Sequence, residues 1–255
     1  MALDEQLKMY RIKICGITNA EDALLAAEAG ADAIGVNFYE KSQRYVRPDE
    51  AGEIVDRLRE EYSAQQIQVF GVFVNASLDD IIWTIREANL YGPDRGFGIQ
   101  LHGDEPPELI RDLHKQGLGL TDQLMQVTGH VPTVPVVRAF RCRGADLAAE
   151  EQYLKQCNQL GAIPQAALLD AYAPGAYGGT GQCVDWTTVG RERHRLSGLP
   201  LVLAGGLNSE NVAAAIAAAK PDAVDVASGV EFTPRKKDAA KVYAFVAAAR
   251  AALAK

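Results

Sequence analysis

Apolar residues along this chain fall in short blocks, separated by polar or alanine-rich stretches. The blocks are YRIKIC (10–15), AIGVNF (33–38), VFGVFVN (69–75), FGIQLH (97–102), VPVVRAF (134–140), AALLDAY (166–172), LPLVLAG (199–205) and AVDVAS (223–228). Each is short and bounded by Gly, Pro, Asn or Asp, which predicts strands. The stretches between them predict helices. Thr18 with Glu21 fits a capping box before a helix ending near Gly30. Pro48 fits the first turn of a helix running to about Tyr62. Ser77 with Asp80 caps 78–89, and Pro106 and Pro107 open a stretch reaching about Gln116. Further helices are predicted over 145–160, over 208–219 with Asn208 or Ser209 as cap, and from Asp238 nearly to the last residue. Segment 185–195 is short and polar and carries the weakest pattern.

Strands that alternate with helices imply a parallel sheet, and eight such pairs in 255 residues favour a closed barrel over an open doubly wound sheet. The predicted fold is therefore α/β, a (β/α)8 TIM barrel forming a single domain over 1–255. No linker or low-complexity segment divides it. The stretch GLGLTDQLMQVTGHVPT (117–133) is long for one connection and reads as a surface insertion.

Barrels of this kind place their chemistry at the C-terminal ends of the strands. Those ends carry Cys15, Arg44 in the loop after the second strand, Gln100 and His102, Arg138, Asp170, Gly205–Gly206, and Asp225 with Ser228–Gly229. Side chains alternate faces along a strand. If Lys13, Gln100, Arg138, Asp170 and Asp225 face inward, they must pair as one buried network. The glycines of AGGLNSENV (204–212) and VASGVE (226–231) sit in the loops that hold phosphate in many barrels. One such loop is ordinarily a tight turn only; two adjacent ones favour phosphate. Arg44 alone is ordinarily a solvated arginine, though its planar fork suits a carboxylate. His102 alone reads as a hydrogen-bonded structural histidine. YGGTG (177–181) reads equally as a lid, with Gly178, Gly179, Thr180 and Gly181, or as a plain connection. Cys15 alone is ordinarily an inert core thiol.

Charge and composition narrow the class. A net charge of −7 argues against a general nucleic-acid or anionic-membrane binder, so an anionic ligand needs a local basic pocket or backbone amides. The four cysteines, 15, 142, 157 and 183, form no CxxC pair and read as reduced thiols in a cytoplasmic protein, the last three inert. The N-terminal stretch has no signal-type apolar core, and no run approaches the ~20 apolar residues of a membrane span. The histidines, 102, 114, 130 and 194, lack metal-ligand spacing, so no metal is expected.

Taken in order, KICGIT (13–18), GADAIGVNF (30–38), SQRYV (42–46), FGVFVN (70–75), GIQLHGDE (98–105), LLD (168–170), GGTG (178–181), LAGGL (203–207) and DVASGVE (225–231) resemble phosphoribosylanthranilate isomerase over roughly residues 10 to 250. The resemblance implies an Amadori rearrangement of N-(5-phosphoribosyl)anthranilate in tryptophan biosynthesis, with no cofactor. It implies that Cys15 is the general base and Asp170 the general acid. It implies that Arg44 meets the anthranilate carboxylate, His102 and Asp225 bind substrate, and Gly205, Gly206, Ser228 and Gly229 hold the phosphate. Partners are then a small phosphorylated substrate, with the chain a monomer or homodimer. Lys13, two residues from Cys15 on the same face, is expected to help ionise its thiol.

The sequence departs from the family in places. Gln43 stands where the family has proline, which removes a rigid φ before Arg44. Val184 replaces an aromatic, and 117–133 and 141–165 are longer than the family's compact form. One rival is the histidine-pathway isomerase, which resembles the chain in its phosphate loops but ends its first strand in aspartate. A second is a barrel that binds a phosphorylated ligand without turnover.

Overall fold

Eight strands form within a few residues of the predicted blocks: β1 (Ile12–Cys15), β2 (Ala33–Asn37), β3 (Gln68–Phe73), β4 (Phe97–Leu101), β5 (Val136–Cys142), β6 (Ala166–Ala171), β7 (Leu201–Leu203) and β8 (Ala223–Val226). They pair in chain order, all parallel, and β8 pairs back to β1, closing the barrel. This computed structural model describes residues 9–90, 95–116, 134–142, 146–171 and 185–254. Among them the helices are α1 (Ala20–Glu28), α2 (Pro48–Arg59), α3 (Leu78–Glu87), α4 (Pro107–Gln116), α5 (Ala148–Gln159), α6 (Trp186–Glu192), α7 (Val212–Ala219) and α8 (Ala239–Leu253). A short antiparallel pair, β9 (Glu231–Thr233) and β10 (Lys236–Lys237), follows β8. None of these helices is long and apolar enough to cross a membrane. The 117–133 insertion and the GGTG loop lie outside the described residues.

The helix starts follow local chemistry, with two corrections. Ser77 Oγ accepts from Asp80 N at 3.1 Å, so the predicted cap forms there, and Asp238, where the last helix was expected to begin, caps it by accepting from Lys241 N at 3.0 Å. The first helix is capped by Asn19, whose Oδ1 accepts from Asp22 N at 2.8 Å, and not by Thr18. The Thr18 hydroxyl instead donates to the Arg235 carbonyl at 2.8 Å. Asn208 accepts from the amides of Glu210 and Asn211 in the turn ahead of α7, so that helix starts at Val212, later than predicted.

Two apolar shells follow from strand alternation. Outward residues such as Ile12, Ile14, Val69, Leu169 and Leu203 pack under the helices. Inward residues, among them Tyr10, Ala33, Phe70, Val137, Ala139, Leu168, Val202 and Ala223, fill the interior as a packed core. Phe70 meets Tyr10 edge-on at 5.1 Å. Its ring needs the bare backbone of Gly98, where a Cβ would sit 2.4 Å from Phe70 Cε1.

Arg138 does not belong to the interior. Val137 and Ala139 take the inward positions of β5, so Arg138 points outward. Its Nη1 donates to the Leu101 and Ala139 carbonyls and to Glu105, and its Nη2 donates to the Gly103 carbonyl at 3.0 Å. The guanidinium lies over the rings of Phe140 and Tyr153. Arg138 therefore pins the backbone after β4 instead of joining the barrel's polar network.

Candidate active site

Beyond the inner core, the inward positions turn polar and form a continuous chain of hydrogen bonds. Lys13 Nζ donates to Asp225 Oδ2 at 2.7 Å and to Gln100 Oε1 at 2.8 Å. Gln100 Nε2 lies 2.8 Å from His102 Nδ1, and His102 Nε2 lies 3.2 Å from Asp170 Oδ2. The directions are set from one end. An ammonium only donates, so the Gln100 oxygen faces Lys13 and its NH2 faces His102. Nδ1 then accepts, and the hydrogen on Nε2 points at Asp170. The register of β8 against β1, with Asp225 opposite Lys13, makes the first link possible.

Cys15 ends β1 beside this chain. Gly35 on the neighbouring strand makes room for it: a Cβ there would lie 2.7 Å from Cys15 Sγ and 3.2 Å from Lys13 Nζ. Burial pushes the Cys15 thiol above its ordinary pKa. Lys13 and Lys237 pull the other way without cancelling the effect. The resting thiol is therefore protonated at neutral pH, and Lys13 eases its ionisation only in part. Burial also disfavours the Lys13 ammonium, but its ion pair with Asp225 works the other way and its pKa stays above the ordinary value.

Arg44 reaches the same rim from the loop after β2. Gly16, with φ +75°, lets its stem pass, since a Cβ there would lie 2.3 Å from Arg44 Cδ. Its Nε and Nη2 donate to the two carboxylate oxygens of Glu231 at 2.7 and 2.6 Å. Glu231 also accepts from the buried Lys237 at 3.2 Å. Burial works against ionising Glu231, but Arg44 and Lys237 keep its carboxyl below the usual pKa. Lys237 was not anticipated, because its partners lie on β1 and in the loop after β8. Glu231 was visible only as the last letter of the SGVE motif.

In the same pocket the loops after β7 and β8 meet. Gly205 and Gly206 both have left-handed backbones, at φ +84° and +65°. Asn211 Nδ2 donates to the Gly206 carbonyl at 2.9 Å and fixes that turn. Gly229 sits so close to the Leu207 carbonyl that a Cβ would fall 1.8 Å from its oxygen. No other residue fits there without moving one of the loops.

A single pocket at the strands' C-terminal ends is lined by Cys15, Arg44, His102, Asp170, Asp225, Gly205, Gly206, Ser228 and Gly229, among others. Every anticipated site residue within the described segments is thus brought to one place. Cys15 and Asp170 stand on strands three apart around the barrel. Gly178, Gly179, Thr180 and Gly181, Cys183 and His130 lie outside the described residues. Cys157 is buried in the outer core, with its thiol pushed up to about 11 by burial. Burial likewise raises the Cys142 thiol.

The chain matches the family model described as N-(5'-phosphoribosyl)anthranilate (PRA) isomerase over residues 12–129 and 126–248. The chain belongs to this family. A relative named N-(5'-phosphoribosyl)anthranilate isomerase, from Citrifermentans bemidjiense, is 41% identical over 245 residues, covering 95% of this chain and 98% of its own. The crystal structure of phosphoribosyl anthranilate isomerase from Thermotoga maritima superposes with a TM-score of 0.72 at 35% identity, covering 95% of this chain and all of its own. A solved phosphoribosyl anthranilate isomerase in complex with reduced 1-(o-carboxyphenylamino)-1-deoxyribulose 5-phosphate gives 0.70 at 34% identity, with the same coverage. The family's barrel is the barrel described above.

Proposed function

We propose that the protein converts N-(5'-phosphoribosyl)anthranilate to 1-(2-carboxyphenylamino)-1-deoxyribulose 5-phosphate, with Asp170 as general acid and Cys15 as general base. The observation that carries this reading is one pocket holding a carboxyl and a thiol on well-separated strands, with two glycine loops beside them. Ring opening needs a proton at the furanose oxygen. In this reading Asp170, held through Oδ2 by His102, delivers that proton. The resulting Schiff base acidifies the sugar C2 proton, which the Cys15 thiolate removes. The enolamine then tautomerises to the ketone.

The remaining pocket residues serve binding in this reading. Gly205, Gly206, Ser228 and Gly229 take the phosphate, because the glycine backbones approach an anion closely and the Ser228 hydroxyl can donate to it. Asp225 Oδ1 has no partner among the described residues, which suits a sugar hydroxyl. Arg44 takes the ring carboxylate. These assignments need no metal or organic cofactor.

The direct assay mixes purified protein with freshly made phosphoribosylanthranilate and follows the loss of its anthranilate fluorescence. Rapid loss supports the reading. Binding without loss supports a non-catalytic barrel. Turnover of the histidine-pathway substrate alone supports the rival isomerase.

A further inference from the structure

We propose that Glu231 and Lys237 form a clamp that positions Arg44, holding one edge of its guanidinium so that the other edge faces the substrate's ring carboxylate. This rests on the isomerase reading and adds two positioning residues to it. A guanidinium carries five N–H groups in a fixed plane. Glu231 occupies the Nε–Nη2 edge with two short bonds. Nη1 has no partner among the described residues, and Arg44 lines the pocket. The edge left over, Nη1 with the second hydrogen of Nη2, is the one that takes a carboxylate end-on with two parallel bonds.

The clamp is rigid because Glu231 is itself held. Lys237 Nζ donates to Glu231 at 3.2 Å, to the Cys15 carbonyl at 2.7 Å and to the Ala227 carbonyl at 3.1 Å. The Lys237 amide donates to Asp22 at 2.9 Å. The β9–β10 pair is thereby tied to the ends of β1 and β8. The group that recognises the carboxylate and the backbone that carries the thiol then belong to one unit.

Charge selects the occupant. Arg44, Lys237 and Glu231 are all largely buried and sum to one positive charge at the pocket wall. Lys13 and Asp225, in contrast, sum to zero. A ring carboxylate restores neutrality at Arg44, while the phosphate is served by the glycine loops after β7 and β8.

The test compares two ligands by calorimetry. One is reduced 1-(o-carboxyphenylamino)-1-deoxyribulose 5-phosphate, and the other is the same compound without the ring carboxyl. The parent should prefer the carboxylated ligand by about 10- to 100-fold, the range of a charge-assisted pair. In Glu231→Gln the preference should fall to about threefold or less, the size of one ordinary hydrogen bond. Affinity for the other ligand should stay unchanged. Glu231→Asp keeps the charge beside Lys237, so it answers the question if Glu231→Gln does not fold; it too should lose most of the preference. A merely structural role would weaken both ligands alike, and that result overturns the clamp. So does a preference that survives both substitutions, or a parent that does not discriminate. A parent that binds neither ligand overturns the isomerase reading itself.

Discussion

Two buried ion pairs stand on opposite sides of the barrel, one joining β1 to β8 and the other joining β5 to the loop after β4, and they do different work. Lys13–Asp225 lies inside the barrel, Arg138–Glu105 outside it. Arg138 spends its donors on three backbone carbonyls and Glu105, while Glu105 also accepts from the amides of Asn75 and Gly103. That pair is consumed in fixing the chain after β4. Lys13 spends its donors on side chains that line the pocket, and the chain it starts ends at Asp170. Burial and charge alone therefore do not mark a functional group. The face of the strand, and whether its partners are backbone or pocket side chains, decides.

The widest separation between the regions should come from the acid and base themselves. Cys15→Ser and Asp170→Asn should each lower kcat by about 10²- to 10⁴-fold, with circular dichroism and melting unchanged in shape. A loss below tenfold in either would remove that residue from its role. Next, Lys13→Met leaves the Asp225 carboxylate buried and unpaired. It should cost about 3–5 kcal/mol of stability in urea unfolding, and activity with it. Arg138→Met should cost about 3 kcal/mol in the same measurement, yet leave kcat of the folded enzyme unchanged. If Arg138→Met abolished turnover at full folding, the contrast between inside and outside would be broken.

The pH dependence should be gentler. Burial raises the Cys15 thiol, and its thiolate is the active form, so kcat/KM should rise with pH above neutrality. The slope is at most tenfold per pH unit, continuing past the ordinary thiol range. A profile flat from about pH 7 to 9 would mean that Lys13 and Lys237 outweigh burial in the free enzyme. The smallest effect belongs to Gln100→Leu, which frees His102 to change tautomer. It should lower kcat by about three- to tenfold, the worth of one hydrogen bond. An unchanged rate would show that the tautomer does not depend on Lys13.

The barrel was legible because eight apolar blocks alternate with helical stretches, and a parallel sheet covered on both faces reads as just such blocks. The same property hid the orientation of Arg138. VPVVRAF is apolar at every other position and at its neighbours, so alternation gives no phase, and only the packed partners Val137 and Ala139 fix it. The pocket residues were legible because strand ends are where barrels hold chemistry. The clamp was not, because Lys237 meets the Cys15 carbonyl across 222 positions of chain, through a two-stranded turn that no pattern marks. Thr18 and Asn19 are adjacent residues of similar capping strength, and the hydroxyl was claimed by a distant carbonyl.

The division of labour between Asp170 and Cys15 is tested most directly by turnover of substrate deuterated at the sugar C2. Ring opening precedes C2 deprotonation in this account, so slowing either step changes what the isotope reports. Cys15→Ser should show a large primary isotope effect on kcat, because proton removal becomes limiting. Asp170→Asn should show almost none, because ring opening becomes limiting before the C2 proton moves. The reverse pattern, an isotope effect in Asp170→Asn and none in Cys15→Ser, would contradict the assignment of acid and base.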